Sequence, residues 1–308
     1  LIGAIYICFI FSMYLFSSYS LLVFNSSSFY FFLVWQSISL FSIIHYYGGL
    51  AYNINSLCYI LVVLLSDVLI ISGFLVVSFD YAFFGFMLKL SFFPFLWFLP
   101  SLLLNMSYLL ICLLVFFHKV VVVLIFYYLL CDLSVFYLLF ILFSVFLSSF
   151  YLLMNKSCLK SLIIWSSNIH CGWFLLLLCY SSYLVICYIG LYLVFGVFFV
   201  LLVYYGYDYL YISDLVGLDY SYGLCLWFLF LFFCSFPPLL GWVLKLVLYS
   251  VALNYLFLLG LVIVNLFSAF GYLVVLSSFF SCLPYWNRYN VYLWLFPFIL
   301  LIVGFVVL

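Results

Sequence analysis

Three lysines lie within long apolar runs of a sequence that contains no glutamate: Lys89, Lys119 and Lys245. A cation near the middle of a bilayer costs roughly 2.5–3.5 kcal/mol on insertion scales, so such residues are rare and usually have a function. A buried lysine that exchanges its charged and neutral forms can pass protons along a chain of polar groups. The three lysines are therefore candidate members of an ion or proton path.

Prolines stand close to two of these lysines. Pro94 follows Lys89 by five residues, and Pro237 with Pro238 precedes Lys245 by eight and seven residues. Proline removes a backbone hydrogen bond and interrupts a helix, which leaves carbonyl groups available to water or ions. Discontinuous helices of this kind line ion paths in transporters. The alternatives are a simple kink at Pro94 and, for both lysines, side chains that extend to the membrane surface.

Lys119 is the deepest of the three in its predicted helix. It lies eleven or twelve residues from either end, which is too far for its ammonium to reach the membrane surface comfortably. His118 precedes it by about 100° around the helix, so the two side chains face different neighbours. A packed core residue is the alternative interpretation of His118.

Other polar side chains also fall inside apolar segments. Ser166, Ser167 and His170 form a patch in one predicted helix, where Ser166 and His170 share a face. This pattern indicates contact with water, or alternatively hydrogen bonds between helices. Asp67 is the one clear intramembrane acid of the sequence, and Gln36 supplies an uncharged polar group at mid-depth.

The composition defines the structural class. The chain has 308 residues, of which 73% are hydrophobic, six are basic and six are acidic. A soluble domain of this length could not cover its surface with so few charges. Runs of ~20 apolar residues match a bilayer-spanning helix and lack the alternation of barrel strands. We therefore predict an all-α polytopic membrane protein, and the zero net charge gives no indication of a nucleic-acid partner.

Breaks in hydropathy predict eleven transmembrane helices, joined by short connections into a single domain over residues 1–308. The predicted ranges are 2–18, 20–45, 56–79, 82–104, 107–130, 133–153, 158–179, 183–205, 222–250, 252–281 and 290–308. The prolines described above interrupt the fourth and the ninth of these helices.

Basic residues near helix ends predict the orientation. Each connection is numbered by the count of predicted helices that precede it. The basic residues Lys156, Lys160 and Arg288 fall at even-numbered connections, whereas the charged residues of the odd-numbered connections are Asp80 and Asp132. The positive-inside rule then places the N-terminus on the matrix or cytoplasmic side. No basic segment followed by a small-residue cleavage site opens the sequence, so we expect no signal or transit peptide.

The eleven cysteines form no CxxC pair, and the chain has only three histidines. Isolated cysteines in apolar helices are small packing residues. We therefore expect neither a disulfide framework nor a metal site.

Four segments, in this order, resemble motifs of subunit 2 of mitochondrial NADH:ubiquinone oxidoreductase, which is respiratory complex I. The family typically has K-L-G-x-x-P-F-H-F-W-x-P-E, Q-K, Y-S-S-I-x-H-M-G-W and G-G-L-P-P-L-x-G-F-x-x-K. The corresponding segments here are Lys89–Ser101, His118–Lys119, Trp165–Trp173 and Cys234–Lys245. The resemblance runs from about residue 31 to residue 250.

The resemblance implies an antiporter-like subunit of the membrane arm in the mitochondrial inner membrane. Such a subunit takes part in proton translocation coupled to NADH oxidation and ubiquinone reduction, with other membrane-arm subunits and lipids as partners. It holds no cofactor or redox centre and no direct NADH or quinone site. By analogy, Lys89, Lys119 and Lys245 would be central lysines of the proton path, and His170 would belong to the hydrated axis between them. Animal members resemble a truncated form with eleven helices, whose N-terminus lies in the matrix.

The sequence departs from the family at two informative positions. The glutamate of the family's W-x-G-L-E segment falls at or near Gln36, which cannot ionise, so the family's lysine loses its usual charge partner. Asp67 on the next helix could substitute for it, or pumping through this subunit is altered. The glycine of K-L-G is Ser91. A stand-alone cation/proton antiporter and a structural subunit that does not pump are the alternative functions.

Overall fold

The computed structural model describes residues 2–23, 26–48, 53–75, 79–104, 106–129, 135–154, 158–178, 182–205, 230–231, 233–234, 240–251 and 255–281. The secondary-structure elements within these ranges are helices. Five helical segments of the described chain are long and apolar enough to cross a bilayer: Phe29–Tyr46, Leu57–Leu75, Leu110–Tyr127, Val135–Met154 and Leu159–Leu178. The chain is thus an all-α polytopic membrane protein, as its composition predicts, and the count of eleven spans stays a prediction.

The chain divides into two compact units, Leu1–Leu133 and Ser134–Leu308. The single transmembrane domain over residues 1–308 stays a prediction from the sequence. The first unit contains α1 (Ile2–Val23), α2 (Ser26–Gly48), α3 (Asn53–Leu75), α4 (Phe79–Leu90), α5 (Phe98–Leu103), α6 (Tyr108–Cys112), a π-helix (Leu113–His118) and α7 (Lys119–Leu129). The helices α1 to α4 pack in sequence, each on the next, and α7 packs against α1 and α4.

The second unit contains α8 (Val135–Met154), α9 (Leu159–Leu178), α10 (Ser182–Tyr205), α11 (Leu240–Val251) and α12 (Tyr255–Ser281). The helix α9 packs against α8, α10 and α11, and α8 also packs against α12. Every residue of α9 from Leu159 to Leu177 is buried, as expected of an interior helix. The polar patch on α9 therefore faces protein and not lipid.

The first predicted boundary, at residues 18–20, is wrong, because α1 continues through it to Val23. The predicted boundary at 80–81 is also wrong, because α4 begins at Phe79 and includes both residues. Three serines made the first of these two points look like a connection: Ser17, Ser18 and Ser20. Each hydroxyl donates to the carbonyl three residues earlier, at 2.8 Å. A serine that bonds back in this way satisfies its polar group inside its own helix, so the helix tolerates it in an apolar setting.

The predicted fourth helix is interrupted around Pro94. The helix α4 ends at Leu90, α5 begins at Phe98, and residues 91–97 between them form turns and a bend. Ser91 has φ 57°, in the left-handed region that favours glycine. The interruption therefore begins two residues after Lys89, so this lysine lies in the last turn of a helix that ends inside the protein.

Several predicted features lie outside the described residues, and they stay predictions. These are the break at Pro237 and Pro238, the connection 206–221, the last helix 290–308, and two of the three basic residues that set the orientation, Lys156 and Arg288.

Candidate functional site

An ion pair joins α3 and α4 in the first unit. The Nζ atom of Lys89 donates to Oδ1 of Asp67 at 2.6 Å, and both side chains are almost fully buried, with 2% and 1% exposed. The ammonium of Lys89 thus points into the protein. A buried pair of this kind is tolerated because the two charges compensate each other at short range.

Two glycines allow α3 and α4 to approach closely enough for this pair. A Cβ atom on Gly85 would lie 2.7 Å from Cγ1 of Ile70 and 2.9 Å from the backbone oxygen of Ser66. A Cβ atom on Gly73 would collide with the backbone of Ala82. Small residues permit such close contact between membrane helices. Because Ser66 directly precedes Asp67, the same contact sets the distance between Asp67 and α4.

The side chain of Gln36 on α2 does not pair with Lys89. It is fully buried, it lies within interaction distance of Tyr14, and neither of its amide atoms makes a hydrogen bond of standard geometry among the described residues. Among the described residues, Asp67 is the charge partner of Lys89, and the effect of the change at Gln36 on pumping stays a prediction.

The π-helix leads directly into His118 and Lys119, which are 3% and 1% exposed. The Nδ1 atom of His118 lies 3.4 Å from the hydroxyl of Tyr14 on α1, and its Nε2 atom makes no hydrogen bond within the described part of the chain. Single π-helical turns are rare and occur frequently at functional sites. Tyr14 escaped the sequence analysis, because a tyrosine in a helix with many aromatic residues gives no distinguishing signal.

In the second unit, His170 on α9 faces α10. Its Nδ1 atom lies 2.9 Å from the hydroxyl of Tyr188, and its ring packs against Tyr192 and Phe233 at centroid distances of 5.1 and 5.5 Å. Its Nε2 atom makes no hydrogen bond of standard geometry to the residues described. One ring nitrogen is thus held by a tyrosine, and the imidazole also lies within interaction distance of the backbone of Phe233.

The serines of the polar patch bond within α9. Ser166 donates to the carbonyl of Ile163 at 2.8 Å, and Ser167 donates to the carbonyl of Ile164 at 2.6 Å. Their hydroxyl protons are therefore committed to their own helix. Ser166 can still accept a hydrogen bond, and Tyr272 on α12 lies within interaction distance of it.

Lys245 on α11 is buried within the protein, with 1% exposed. Its Nζ atom donates to Oδ1 of Asn265 on α12 at 2.9 Å and lies 4.8 Å from the ring centroid of Trp173 on α9. None of the described residues of this unit is acidic. The sequence analysis did not single out Asn265.

Each unit therefore combines buried lysine with imidazole and tyrosine hydroxyl groups, which are all groups that exchange protons. Among the residues that the structure describes, no three His, Cys, Asp or Glu side chains group in a way that could hold a metal ion. The chemistry that this arrangement supports is proton transfer between neighbouring polar groups in a low-dielectric interior.

The fold is similar to chains of two solved membrane complexes. A chain of respiratory complex I from Thermus thermophilus with bound aureothin matches with a TM-score of 0.73 and 17% identity, over 95% of this chain and 76% of that chain. A chain of the Mrp complex from Dietzia sp. DQ12-45-1b matches with a TM-score of 0.67 and 14% identity, over 83% of this chain. The match spans 56% of that Mrp chain. No protein-family model and no curated protein matches the sequence.

Proposed function

We propose that this chain is a core membrane-arm subunit of respiratory complex I, of the antiporter-like kind represented by subunit 2 of the mitochondrial enzyme. It takes part in proton translocation coupled to NADH oxidation and ubiquinone reduction. The observation that carries the proposal is the buried pair of Lys89 and Asp67, in a fold similar to a chain of respiratory complex I. Intramembrane charges are expensive, and proton relays are one of the functions for which membrane proteins retain them.

Each unit contributes one cluster to the proposed path. In the first unit, Lys89, Asp67 and Lys119 carry protons and charge, and Gln36, which lies within interaction distance of Tyr14, is an uncharged polar group. The interruption at Pro94 supports this assignment, because turns at 91–97 replace regular helix next to Lys89, as in the discontinuous helices that line ion paths in transporters.

In the second unit, His170 and Lys245 carry protons, and Ser166 with Ser167 supplies acceptor oxygens. We include Pro237 and Pro238 as a second interruption of helical structure, on the sequence argument alone.

The subunit acts with other membrane-arm subunits and lipids in the mitochondrial inner membrane, as one antiporter-like domain with its N-terminus in the matrix. Electron transfer takes place elsewhere in the complex, so this chain carries no redox centre and no direct NADH or quinone site. Its contribution to catalysis is the movement of protons.

Replacing Lys119 with methionine tests the proposal, because methionine keeps much of the side-chain length and cannot bind a proton. We expect fewer protons pumped per NADH by the reconstituted complex, with normal insertion and assembly of the subunit. Lys160→Met is the matched control, since Lys160 lies outside the proposed path at the start of α9, and it should pump normally. Normal pumping by an assembled Lys119→Met complex would contradict the proposal.

A stand-alone cation/proton antiporter is the second candidate, and the similarity to a chain of the Mrp complex favours it. Copurification separates the two candidates. A complex I subunit should purify with iron–sulfur-containing partners that reduce quinone, whereas an antiporter should exchange cations for protons in vesicles without them.

A structural subunit that does not pump is the third candidate, because Gln36 cannot ionise. Asp67→Asn should lower proton pumping if Asp67 is the functional acid. Gln36→Glu should then restore part of it in the double variant. Unchanged pumping in Asp67→Asn would favour the structural role.

A further inference from the structure

The contact between Tyr14 and His118 joins α1 to the end of the π-helix. The Tyr14 hydroxyl lies 3.4 Å from Nδ1 of His118, and the two ring centroids are 6.4 Å apart, with the ring planes inclined by 46°. Both side chains are buried, with 1% and 3% exposed. The helix α1 also packs against α7, which begins directly after His118, so the packing of these helices holds the two groups together.

A hydrogen bond at Nδ1 determines where a neutral imidazole carries its proton. A neutral imidazole has one N–H donor and one acceptor nitrogen, whereas a phenol hydroxyl both donates and accepts. A phenol is a much stronger acid than a neutral imidazole N–H, so the phenol is the better donor of the two. The favoured arrangement is therefore donation from the Tyr14 hydroxyl to Nδ1 of His118, with the imidazole proton on Nε2.

Gln36 supports this direction of donation. It is fully buried on α2, which packs against α1, and its side chain lies within interaction distance of Tyr14. Its amide nitrogen makes no other hydrogen bond of standard geometry to the described residues, so an amide N–H can donate to the tyrosine oxygen. An ionised carboxylate at this place would only accept, and it would compete with His118 for the hydroxyl proton.

A proton on Nε2 makes His118 a hydrogen-bond donor on the side that faces away from Tyr14. Nε2 is buried and makes no hydrogen bond to the residues that the structure describes. A buried donor without a partner is unfavourable, so an N–H group at this place is suited to hold a water molecule or another polar group that moves next to it. His118 directly precedes Lys119, which is a member of the proposed path.

We propose that Tyr14 is a positioning residue that holds the neutral imidazole of His118 with its proton on Nε2. His118 then serves the path beside Lys119 as a fixed hydrogen-bond donor, and no proton passes through its ring. The inference rests on the proposed role of Lys119 in proton translocation, and it adds a residue of α1 to the site.

Two substitutions at His118 test the donor role. Glutamine keeps an N–H donor at a similar reach and cannot carry a proton, whereas leucine has a similar size and no donor. We expect His118→Gln to pump as the unmodified complex does. We expect His118→Leu to pump about three- to tenfold more slowly, which is the range for the loss of one hydrogen bond. Equal pumping by the two assembled variants, whether normal or reduced, would overturn the proposal.

Tyr14→Phe removes the hydroxyl, keeps the ring and is measured in two backgrounds. In the otherwise unmodified complex we expect pumping to fall about three- to tenfold, because the imidazole loses the bond that sets its proton and its orientation. Together with His118→Gln we expect no further loss, because an amide donor has no second tautomer. The same loss in both backgrounds would show that Tyr14 acts only through packing, and it would overturn the proposal.

Infrared spectroscopy measures the position of the imidazole proton and decides the matter if the variants at His118 do not assemble. The ring bands of neutral histidine differ between its two tautomers. In the difference spectrum between the unmodified and the Tyr14→Phe complexes, we expect the Nε2–H tautomer to decrease and the Nδ1–H tautomer to increase. Histidine bands that do not change would overturn the proposal.

Lys119→Met separates failure of this inference from failure of the proposed function. Normal pumping by Lys119→Met contradicts the proposed function, whatever the infrared spectra show. If Lys119→Met loses pumping while Tyr14→Phe leaves the histidine bands unchanged, the proposed function stands and the role of Tyr14 is wrong.

Discussion

The hydroxyl of Tyr188 on α10 lies 2.9 Å from Nδ1 of His170 on α9, and both side chains are buried. Phe174 packs edge-to-face on Tyr188 at a centroid distance of 4.9 Å, which holds the phenol ring in place. The hydrogen bond therefore fixes the orientation of the imidazole.

Tyr188→Phe removes this bond and keeps the ring packing. We expect a loss of about 1–3 kcal/mol in stability, because Nδ1 is left buried without its partner, together with a several-fold decrease in protons pumped per NADH. Thermal unfolding of the detergent-solubilised complex and pumping in vesicles measure the two effects. Tyr19→Phe, at a residue that is 65% exposed, should change neither.

The ion pair between Lys89 and Asp67 predicts that the effects of substituting the two residues on stability do not add. Asp67→Leu leaves the ammonium of Lys89 buried and unpaired, so we expect a destabilisation of about 3–5 kcal/mol. Adding Lys89→Met removes the second charge and should recover most of that loss, since two apolar residues of similar size tolerate burial. Unfolding in increasing SDS measures the stability of both variants. If the double variant were as unstable as Asp67→Leu alone, the ion pair between Lys89 and Asp67 would be contradicted.

The contact between α3 and α4 predicts that Gly85 resists enlargement. Gly85→Ala places a methyl group against Ile70 and the backbone of Ser66, so we expect a loss of about 1–3 kcal/mol and weaker pairing of Lys89. Gly190 on α10 is the matched control, because a Cβ atom there meets nothing within 4 Å. Gly190→Ala should be neutral or stabilise the helix by up to about 1 kcal/mol. Equal effects at the two glycines would argue against the close contact.

The left-handed backbone of Ser91 predicts opposite effects of two small changes. Ser91→Gly should stabilise the protein by up to about 1 kcal/mol, because a residue with a Cβ atom is disfavoured at φ 57°. Ser91→Val should destabilise it, since a β-branched side chain fits this conformation poorly. The unfolding temperature of Ser91→Gly should lie above that of the unmodified protein, and that of Ser91→Val should lie below it. A lower temperature for Ser91→Gly together with a higher one for Ser91→Val would refute the assigned conformation.

The buried lysines could be predicted from sequence, because the cost of a charge in an apolar helix depends only on its local surroundings. Their partners could not. Asn265 follows Lys245 by 20 positions, and Tyr14 precedes His118 by 104 positions. Packing between separate helices selects one asparagine or tyrosine among many similar residues, and a single sequence does not record that packing.

The serines explain why the helix boundary at residues 18–20 was misplaced while the fold class was predicted correctly. Hydropathy treats each serine as a polar group that needs water. In α1, Ser17, Ser18 and Ser20 instead bond to the carbonyls of the preceding turn, so they cost the helix little. The apolar excess that defines the class is unaffected by this error, whereas a boundary depends on only a few residues.

The π-helix Leu113–His118 affects how this chain should be aligned with its relatives. A π-turn closes its hydrogen bond over five residues instead of four, so the segment accommodates one residue more than a regular α-helix. A relative with an uninterrupted α-helix here needs a gap of one position within the segment. Without that gap, the residues on one side of the π-helix are aligned one position out of register, which is about 100° around the helix. The sequence identity calculated from such an alignment is then too low.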